Sequence, residues 1–349
     1  MVLTAFGIIF ILSFSVSLLT VPVARWLSFR VGALSTPGGR RHETEPMPRL
    51  GGLALFTGFI VAVIASLFLP INRQDPLETT RLAGLIVGVI FCFIFWLLDD
   101  IFEFGWLPQA SAQIVAALIA VGFKIFIEFF NNPFTGQQTD TWSFAVTIVL
   151  TVFWIVMMMN TVNFLDGLDG LAAGVALIAG VMLFLNSAFR VTPAQTSVAL
   201  LPLAMTGACL GLLMHNFYPA KIYLGGGAPM LGFMLGTLSI IGGAKMATIL
   251  LVMGLPLMDS AWQVFYRLLR GQNPMRGDRG HLHYRLLDMG ILSHRQIVIL
   301  YYLFCAFFGG LTLLLESRLY KFVAFSAMLM FIAIGLGVLM RLPNQSSSS

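Results

Sequence analysis

The chain has 349 residues, of which 58% are hydrophobic and 10% are charged, with a formal net charge of +5. Soluble domains carry about 25% charged residues, so this composition excludes the soluble classes and indicates a polytopic membrane protein. The three cysteines are scattered through apolar runs, which gives no sign of a disulfide framework or a cysteine-based metal site.

Apolar runs long enough to cross a bilayer recur along the chain, since a spanning helix needs about 20 residues. Eleven segments qualify: Thr4–Ala24, Leu50–Leu69, Ala83–Leu98, Ala110–Phe130, Phe144–Met159, Leu171–Leu185, Val198–Met214, Ala228–Ile241, Met246–Met258, Ile297–Leu315 and Phe322–Met340. The first is expected to be a span rather than a cleaved signal, because no basic segment precedes it.

The predicted fold is an all-α protein with about eleven transmembrane helices, and strands are improbable because open β edges cannot face lipid. Residues 1–341 are expected to form one transmembrane catalytic domain, followed by a flexible tail, 342–349.

The distribution of lysine and arginine predicts the orientation. An odd number of spans places the termini on opposite sides of the membrane. One set of loops, taken with the C-terminus, holds thirteen basic residues, and the opposite set holds six. The positive-inside rule makes the first set cytoplasmic, with the N-terminus outside. These loops are 25–49, 99–109, 160–170, 215–227 and 259–296.

Carboxylates are concentrated on this predicted cytoplasmic side. Asp166 and Asp169 lie in the segment NTVNFLDGLDGLAAG, between two apolar runs. Charged groups beside hydrocarbon cost about 2.5–3.5 kcal/mol each on insertion scales, so such groups are candidates for function. Their spacing of three places both on one face if the segment is helical. The ordinary alternative is a water-facing loop.

The adjacent pair Asp99 and Asp100 ends another apolar run. Neighbouring carboxylates repel each other unless a cation compensates, and Mg²⁺ is typically held by one or two carboxylates together with substrate phosphates. The alternative is a solvated helix end.

A transporter would instead place ionisable groups near the bilayer midplane, so this distribution favours an enzyme that takes one substrate from water and one from the lipid.

Two basic segments complement the carboxylates: PGGRRH and DRGHLHYR. Guanidinium groups suit phosphate and diphosphate oxygens, although ordinary positive-inside charge is the alternative. His281 and His283 share a face only in an extended conformation, and without a third ligand at zinc spacing a zinc site is improbable.

The segment HNFYPAKIYLGGG precedes the eighth apolar run. Its glycines either allow the backbone to approach a phosphate or form a plain turn. Tyr223 is either a stacking platform for a base or an interfacial aromatic residue. Asp259, after the ninth run, is expected to orient a basic residue of the following loop or to cap the next helix.

Together these motifs resemble the polyprenyl-phosphate N-acetylhexosamine-1-phosphate transferases, over nearly the whole chain from Arg40 to Leu287. The matching stretches are RRHETEPMPRLGG, DDIFE, NTVNFLDGLDGLAAG, NFYPAKIY, PLMDS and DRGHLHYRL. The family includes bacterial enzymes that begin cell-envelope glycans such as lipopolysaccharide O-antigen and wall teichoic acid. The resemblance implies transfer of a sugar 1-phosphate from a UDP-N-acetylhexosamine to polyprenyl (undecaprenyl) phosphate, with release of UMP and with Mg²⁺, or alternatively Mn²⁺, as cofactor.

The same resemblance implies roles for individual residues. The catalytic residues are expected to be Asp99, Asp100, Asp166 and His281. The expected metal ligands are Asp166, Asp99 and Asp100. The substrate-binding residues are expected to be Asn163, Asp169, Asn216, Tyr223, Arg279, His283, Arg40, Arg41 and His42. Among these, Asp169 and Asn216 would contact uracil and Tyr223 would stack on it, while Arg279 and His281 would hold the sugar phosphate.

The implied partners are UDP-N-acetylhexosamine, polyprenyl phosphate and the lipid bilayer, without nucleic acid, and a homodimer is expected by analogy with several members. The implied location is the plasma membrane, with the active face cytoplasmic.

The chain departs from the family pattern at four positions. Members commonly carry an aspartate that binds Mg²⁺ where this chain has Gly226. Ser35 replaces an aspartate, Gln109 falls near a usual lysine, and Tyr284 replaces a histidine. The alternative to an active transferase is therefore a non-catalytic relative that binds nucleotide sugar or polyprenyl lipid.

Overall fold

The computed structural model describes residues 1–35, 45–241, 245–269, 271, 280–290 and 292–339. Thirteen helices occur within these ranges: α1 (Val2–Val31), α2 (Gly51–Ser66), α3 (Glu78–Phe102), α4 (Trp106–Gly122), α5 (Phe144–Leu165), α6 (Leu171–Leu185), α7 (Thr196–Asn216), α8 (Gly227–Ile240), α9 (Met246–Val252), α10 (Gly254–Leu269), α11 (Leu282–Asp288), α12 (His294–Leu314) and α13 (Arg318–Leu339). One π-helical turn, Asn186–Arg190, continues α6.

The prediction of a polytopic all-α membrane protein is confirmed. In the described part of the chain, seven helices are long and apolar enough to cross a membrane, or eight if the bent pair α9–α10 counts as one span. Three shorter apolar helices, α2, α4 and α8, match three further predicted segments. Every predicted segment therefore falls on a helix, while the number of spans stays a prediction.

Several helices extend beyond their predicted ends. α3 continues to Phe102 and α5 to Leu165, so Asp99, Asp100 and Asn163 stand on helices rather than in loops. α4 instead ends at Gly122, well short of the predicted Phe130, and Lys124 adopts a left-handed φ of 64° that cannot continue a right-handed helix.

A short antiparallel hairpin corrects the expectation that strands are absent. β1 (Leu34–Ser35) pairs with β2 (Met47–Pro48). The carbonyl of Pro48 also accepts a hydrogen bond from Tyr223 N at 2.8 Å. The hairpin lies beyond the end of α1 and its edge is occupied by the protein's own backbone, so the argument against strands in lipid does not apply to it.

Helices α1 and α7 pack in parallel at close range. The hydroxyl of Ser13 donates to Ala204 O at 2.5 Å and that of Ser17 to Ala208 O at 2.8 Å. A Cβ atom added at Gly211 would lie 2.6 Å from Phe14 O, so the close approach requires glycine there. Small residues and side-chain hydrogen bonds commonly hold membrane helices together. The parallel register brings the C-terminal ends of both helices to the same end of the bundle.

Helix α8 forms the centre of the bundle, with every residue from Gly227 to Ile240 buried. Helices α9 and α10 meet at 76°. The buried side of α10 carries polar residues, including Asp259, Gln263 and Arg267, whereas Phe265, Leu268 and Leu269 are exposed. This helix has a polar inner side and an apolar outer side, the arrangement expected for a helix that faces lipid.

Candidate active site

A polar pocket of about 540 Å³ lies where the C-terminal ends of α3 and α5 approach the segment before α8 and the start of α11. Its volume is in the range of small-molecule sites, roughly 300–1,000 Å³. Six of the predicted site residues line it: Asp99, Asp100, Asn163, Asp166, Tyr223 and His281. Residues far apart in the sequence therefore contribute to one pocket.

The two neighbouring aspartates of α3 point in different directions, because successive helical residues are about 100° apart. Asp99 accepts hydrogen bonds from the Gln109 side chain at 3.1 Å and from Phe104 N at 3.1 Å. These bonds join the end of α3 to the start of α4. Asp99 is thus held at the pocket wall by neutral donors.

Asp100 faces the glycine-rich segment that leads into α8. Its Oδ2 accepts a hydrogen bond from Gly226 N at 2.8 Å, and Arg49 lies 3.5 Å from its Oδ1. The carboxylate is buried, so this charge requires such compensation. Arg49 also pairs with Glu103 at 3.1 Å and lines the pocket itself.

The close approach of this segment explains two of its glycines. Gly225 has a φ of +56°, and a Cβ atom there would collide with Arg49 O and the Asp100 carboxylate. A Cβ atom at Gly226 would lie 2.5 Å from Trp96 Cβ and 2.6 Å from Trp96 O. The backbone at position 226 therefore occupies the space that a side chain would need.

Helix α5 supplies a run of polar groups that ends in Asp166. Asn160 and Gln113 exchange hydrogen bonds of 2.7 and 3.2 Å, and both line the pocket beside Asn163. Asp166 is close enough to Asp100 for the two charges to repel each other. Gln113 and Asn160 were not among the residues predicted for the site. The available signal was a polar side chain within an otherwise apolar helix.

His281 is held at the pocket by Asp259. Its Nδ1 lies 3.0 Å from Asp259 Oδ2, and Leu282 N donates to Asp259 Oδ1 at 2.9 Å. The expectation that Asp259 orients a basic residue of the following loop is confirmed. The His283 ring lies parallel to that of His281 at 5.7 Å, and His283 is buried behind it, outside the pocket wall.

Asp169 and Asn216 also lie outside the pocket wall. Asp169 Oδ2 accepts a hydrogen bond from Ala220 N at 3.0 Å, and Asn216 donates to Ile222 O at 2.9 Å. Both residues brace the segment that carries Tyr223. The turn after Asp166 is not helical, and Gly170 has a φ of 79°, so the spacing of three does not place the two aspartates on one face. Their predicted contact with uracil stays a prediction.

Four further predicted residues lie outside the described ranges: Arg40, Arg41, His42 and Arg279. By contrast, all four departures from the family pattern line the pocket: Ser35, Gln109, Gly226 and Tyr284. The differences are thus concentrated at the candidate active site.

The oxygen atoms that face the pocket suit a hard cation such as Mg²⁺. The carboxylates of Asp99, Asp100 and Asp166, with the amide groups of Asn160 and Asn163, offer oxygen ligands. Within the described ranges, no three histidine, cysteine, aspartate or glutamate residues form a ready metal cage. The set therefore fits an ion held by one or two carboxylates and by substrate phosphates, rather than by protein alone.

The fold and the pocket define a polytopic membrane protein with an acidic, polar site at one end of its apolar helices. Residues 82–243 match the model of glycosyl transferase family 4. The chain is 31% identical over 318 residues to the probable undecaprenyl-phosphate N-acetylglucosaminyl 1-phosphate transferase of Bacillus subtilis, covering 88% of this chain and 85% of the relative. The chain belongs to this family of polyprenyl-phosphate N-acetylglucosamine-1-phosphate transferases, as the resemblance predicted.

Two further relatives carry related names. The decaprenyl-phosphate N-acetylglucosaminephosphotransferase of Mycolicibacterium smegmatis is 33% identical, with 80% of this chain and 74% of the relative covered. The undecaprenyl-phosphate alpha-N-acetylglucosaminyl 1-phosphate transferase of Yersinia pestis is 27% identical, with 84% and 79% covered.

Proposed function

We propose that this protein transfers N-acetylhexosamine 1-phosphate, with N-acetylglucosamine as the first candidate sugar, from the UDP-sugar to a polyprenyl phosphate. The products are polyprenyl-diphospho-sugar and UMP. The observation that carries the proposal is the meeting of Asp99, Asp100 and Asp166 with His281 around one pocket at the end of apolar helices. The names of the relatives support the same reaction.

The chemistry requires mainly positioning and charge neutralisation. The attacking group is a phosphate monoester, which is already largely ionised at neutral pH, so it needs little help from a base. Asp99 and Asp100, at the end of α3, hold the cations that neutralise this phosphate, and in this way they position it. Phosphoryl transfer depends on groups that stabilise charge on the transferred phosphorus and the leaving oxygen.

Two cationic or proton-donating groups suit that task. Arg49 lines the pocket beside Asp100, and a guanidinium group can bind phosphate oxygens. The imidazolium form of His281 can donate from Nε2 to a phosphate oxygen while its Nδ1–H donates to Asp259. Tyr223 offers a ring at the pocket wall on which uracil can stack.

The proposed cofactor is Mg²⁺, with Asp166, Asp99 and Asp100 as its protein ligands. When bound, it would neutralise negative charge on the diphosphate of the nucleotide sugar. Gly226 does not contribute a ligand, so the remaining carboxylates and the substrate phosphates carry that role.

The proposed orientation places the pocket at the cytoplasmic face of the plasma membrane. It rests on the excess of lysine and arginine in the loops on that side. A nucleotide sugar would then enter from the cytoplasm and the polyprenyl phosphate from the bilayer.

The test is release of UMP by the purified protein with undecaprenyl phosphate, Mg²⁺ and either UDP-N-acetylglucosamine or UDP-N-acetylgalactosamine. The expected result is UMP release that requires all three components. Asp166→Asn should lower it by about 10²–10³-fold, and Glu316→Gln, in the loop at the other end of the bundle, should leave it unchanged.

Absence of UMP with both sugars, from protein that keeps its thermal transition, would overturn the proposal and leave the non-catalytic alternative. The four departures that line the pocket are the basis of that alternative, whereas the relatives are named as transferases.

A further inference from the structure

A second charged cluster lies outside the polar pocket, at the C-terminal ends of α1 and α7. It consists of Arg25, His215 and Lys221, none of which lines the pocket. The hydrogen bonds that join α1 to α7 connect residues 191 apart, and the same offset brings position 25 level with position 216. Arg25 therefore reaches the last turn of α7.

The three groups are brought together by the backbone as well as by helix packing. Lys221 N donates to His215 O at 2.7 Å, which folds the segment after α7 back onto the helix end. Both Lys221 and Arg25 are close enough to His215 to act on it electrostatically. Three basic side chains thus share one small area.

No carboxylate in the described part of the chain pairs with this cluster. Among the described residues, no ion pair involves any of the three side chains. Clustered like charges are costly, so an anion bound beside Arg25 and Lys221 would relieve their mutual repulsion.

The surroundings favour an anion at the membrane surface. On α1, Trp26 and Phe29 are more than half exposed, and Arg30 stacks over Trp26 at 5.1 Å. Met214, next to His215, is 64% exposed. Exposed aromatic and basic residues at a helix end are typical of the headgroup region of a bilayer. The cluster therefore lies where lipid phosphates are abundant.

We propose that Arg25, His215 and Lys221 form a binding site for a phosphate group at the membrane surface, occupied by the headgroup of an anionic phospholipid. The site is separate from the pocket, although Lys221 lies only two residues before Tyr223 in the pocket wall. An anion bound to Lys221 would hold this short segment against the end of α7. The proposal does not depend on the transferase activity.

The test is a titration of the full-length protein in mixed micelles, read as the shift in thermal unfolding temperature. Phosphatidylglycerol, phosphatidylcholine and inorganic phosphate are compared for the wild type and for Arg25→Gln/Lys221→Gln. Each basic residue near an anionic surface contributes a factor of about five in affinity, so the double variant should bind phosphatidylglycerol at least tenfold more weakly. Arg30→Gln/Arg285→Gln, which removes the same charge outside the cluster, is the matched control and should lose less affinity than Arg25→Gln/Lys221→Gln.

The comparison of the three ligands distinguishes a lipid headgroup from a soluble anion as the source of the phosphate. Stabilisation of the wild type by phosphatidylglycerol alone assigns the site to a lipid headgroup, and equal stabilisation by inorganic phosphate assigns it to a soluble anion. Equal binding of phosphatidylglycerol by the wild type and the double variant overturns the proposal. If the double variant does not fold, Lys221→Gln alone, at an exposed position, should show about fivefold weaker binding, and unchanged binding would again overturn it.

Discussion

His281 Nδ1 and Asp259 Oδ2 lie 3.0 Å apart, and both side chains are buried. The carboxylate also accepts from Leu282 N, so one residue of α10 fixes both the ring and the backbone at the start of α11. The ring nitrogen that remains, Nε2, is available for the pocket. Asp259 is thus a positioning residue for His281.

Asp259→Asn should lower kcat about 100-fold and change KM for the UDP-sugar by no more than about threefold. The amide can still accept from Leu282 N but supplies no negative charge opposite the imidazolium form of His281, and a positioned proton donor contributes about 10²–10⁴-fold. The measurement is steady-state release of UMP. Asp288→Asn, at the exposed end of α11, is the control and should keep wild-type kcat. A wild-type kcat for Asp259→Asn would show that the pair has only a structural role.

Asp166→Asn should lower UMP release by about 10²–10³-fold, because the change removes charge from a site that stabilises the transferred phosphate. Since the substitution preserves shape, the thermal unfolding temperature should stay within a few degrees of the wild type. Activity assays at several Mg²⁺ concentrations should show weaker apparent affinity for the ion. An unchanged Mg²⁺ dependence would exclude Asp166 from the set of metal ligands.

Gly226→Asp should destabilise the protein rather than provide a further metal ligand. A Cβ atom at this position would meet Trp96 Cβ and the Trp96 carbonyl, and overpacking typically costs about 1–3 kcal/mol. Thermal unfolding in detergent checks the prediction. Gly105→Ala is the matched control, because a Cβ atom there meets nothing within 4 Å. A folded Gly226→Asp protein with higher activity would show that the segment can move away from α3.

Lys245 lies at the opposite end of the bundle from the pocket, and it makes the stability of the protein depend on pH. Burial lowers the pKa of Lys245 from 10.5 to about 8, and its ammonium group donates to Gln195 Oε1 at 2.6 Å. The unfolded chain binds a proton more tightly than the folded one between these values, so stability rises as the pH increases from about 8 to 10.5. The total gain is about 3 kcal/mol, at about 1.4 kcal/mol for each pKa unit.

The measurement is the free energy of unfolding of the wild type minus that of Lys245→Met, followed from pH 7 to pH 10. The difference should increase with pH, because only the wild type carries the costly buried charge at pH 7. Lys124→Met serves as the control at an exposed lysine. A difference that stays constant or falls with pH would contradict the prediction.

The sequence predicted the gathering of Asp99, Asp100 and Asp166 because charges beside long apolar runs have few places to lie. It did not predict the direction of Asp169, which depends on how the turn after α5 closes. A spacing of three carries information only in a helix, and Gly170 reverses the chain at that point. Asp169 consequently braces Ala220 instead of facing the pocket.

The pair of Gln113 and Asn160 shows a second limit. Gln113 lies at the start of one predicted apolar run and Asn160 directly after another, and only the packing of α4 against α5 reveals that the two amides bond to each other. The position of Gly226 was evident in the sequence, but its tight contact with Trp96 depends on how the loop meets α3. Local pattern identifies the polar residues, and tertiary packing determines their partners.

The orientation of α10 makes the pocket sensitive to the solvent around the protein. Phe265, Leu268 and Leu269 cover the outer side of the same helix that holds Asp259 on its inner side. We expect hydrocarbon around those three side chains to keep α10 against the bundle, and with it the Asp259 carboxylate that holds His281. Thinning, curvature or solubilisation of the bilayer would thus be felt first as a change in catalytic rate, before any helix of the bundle unfolds.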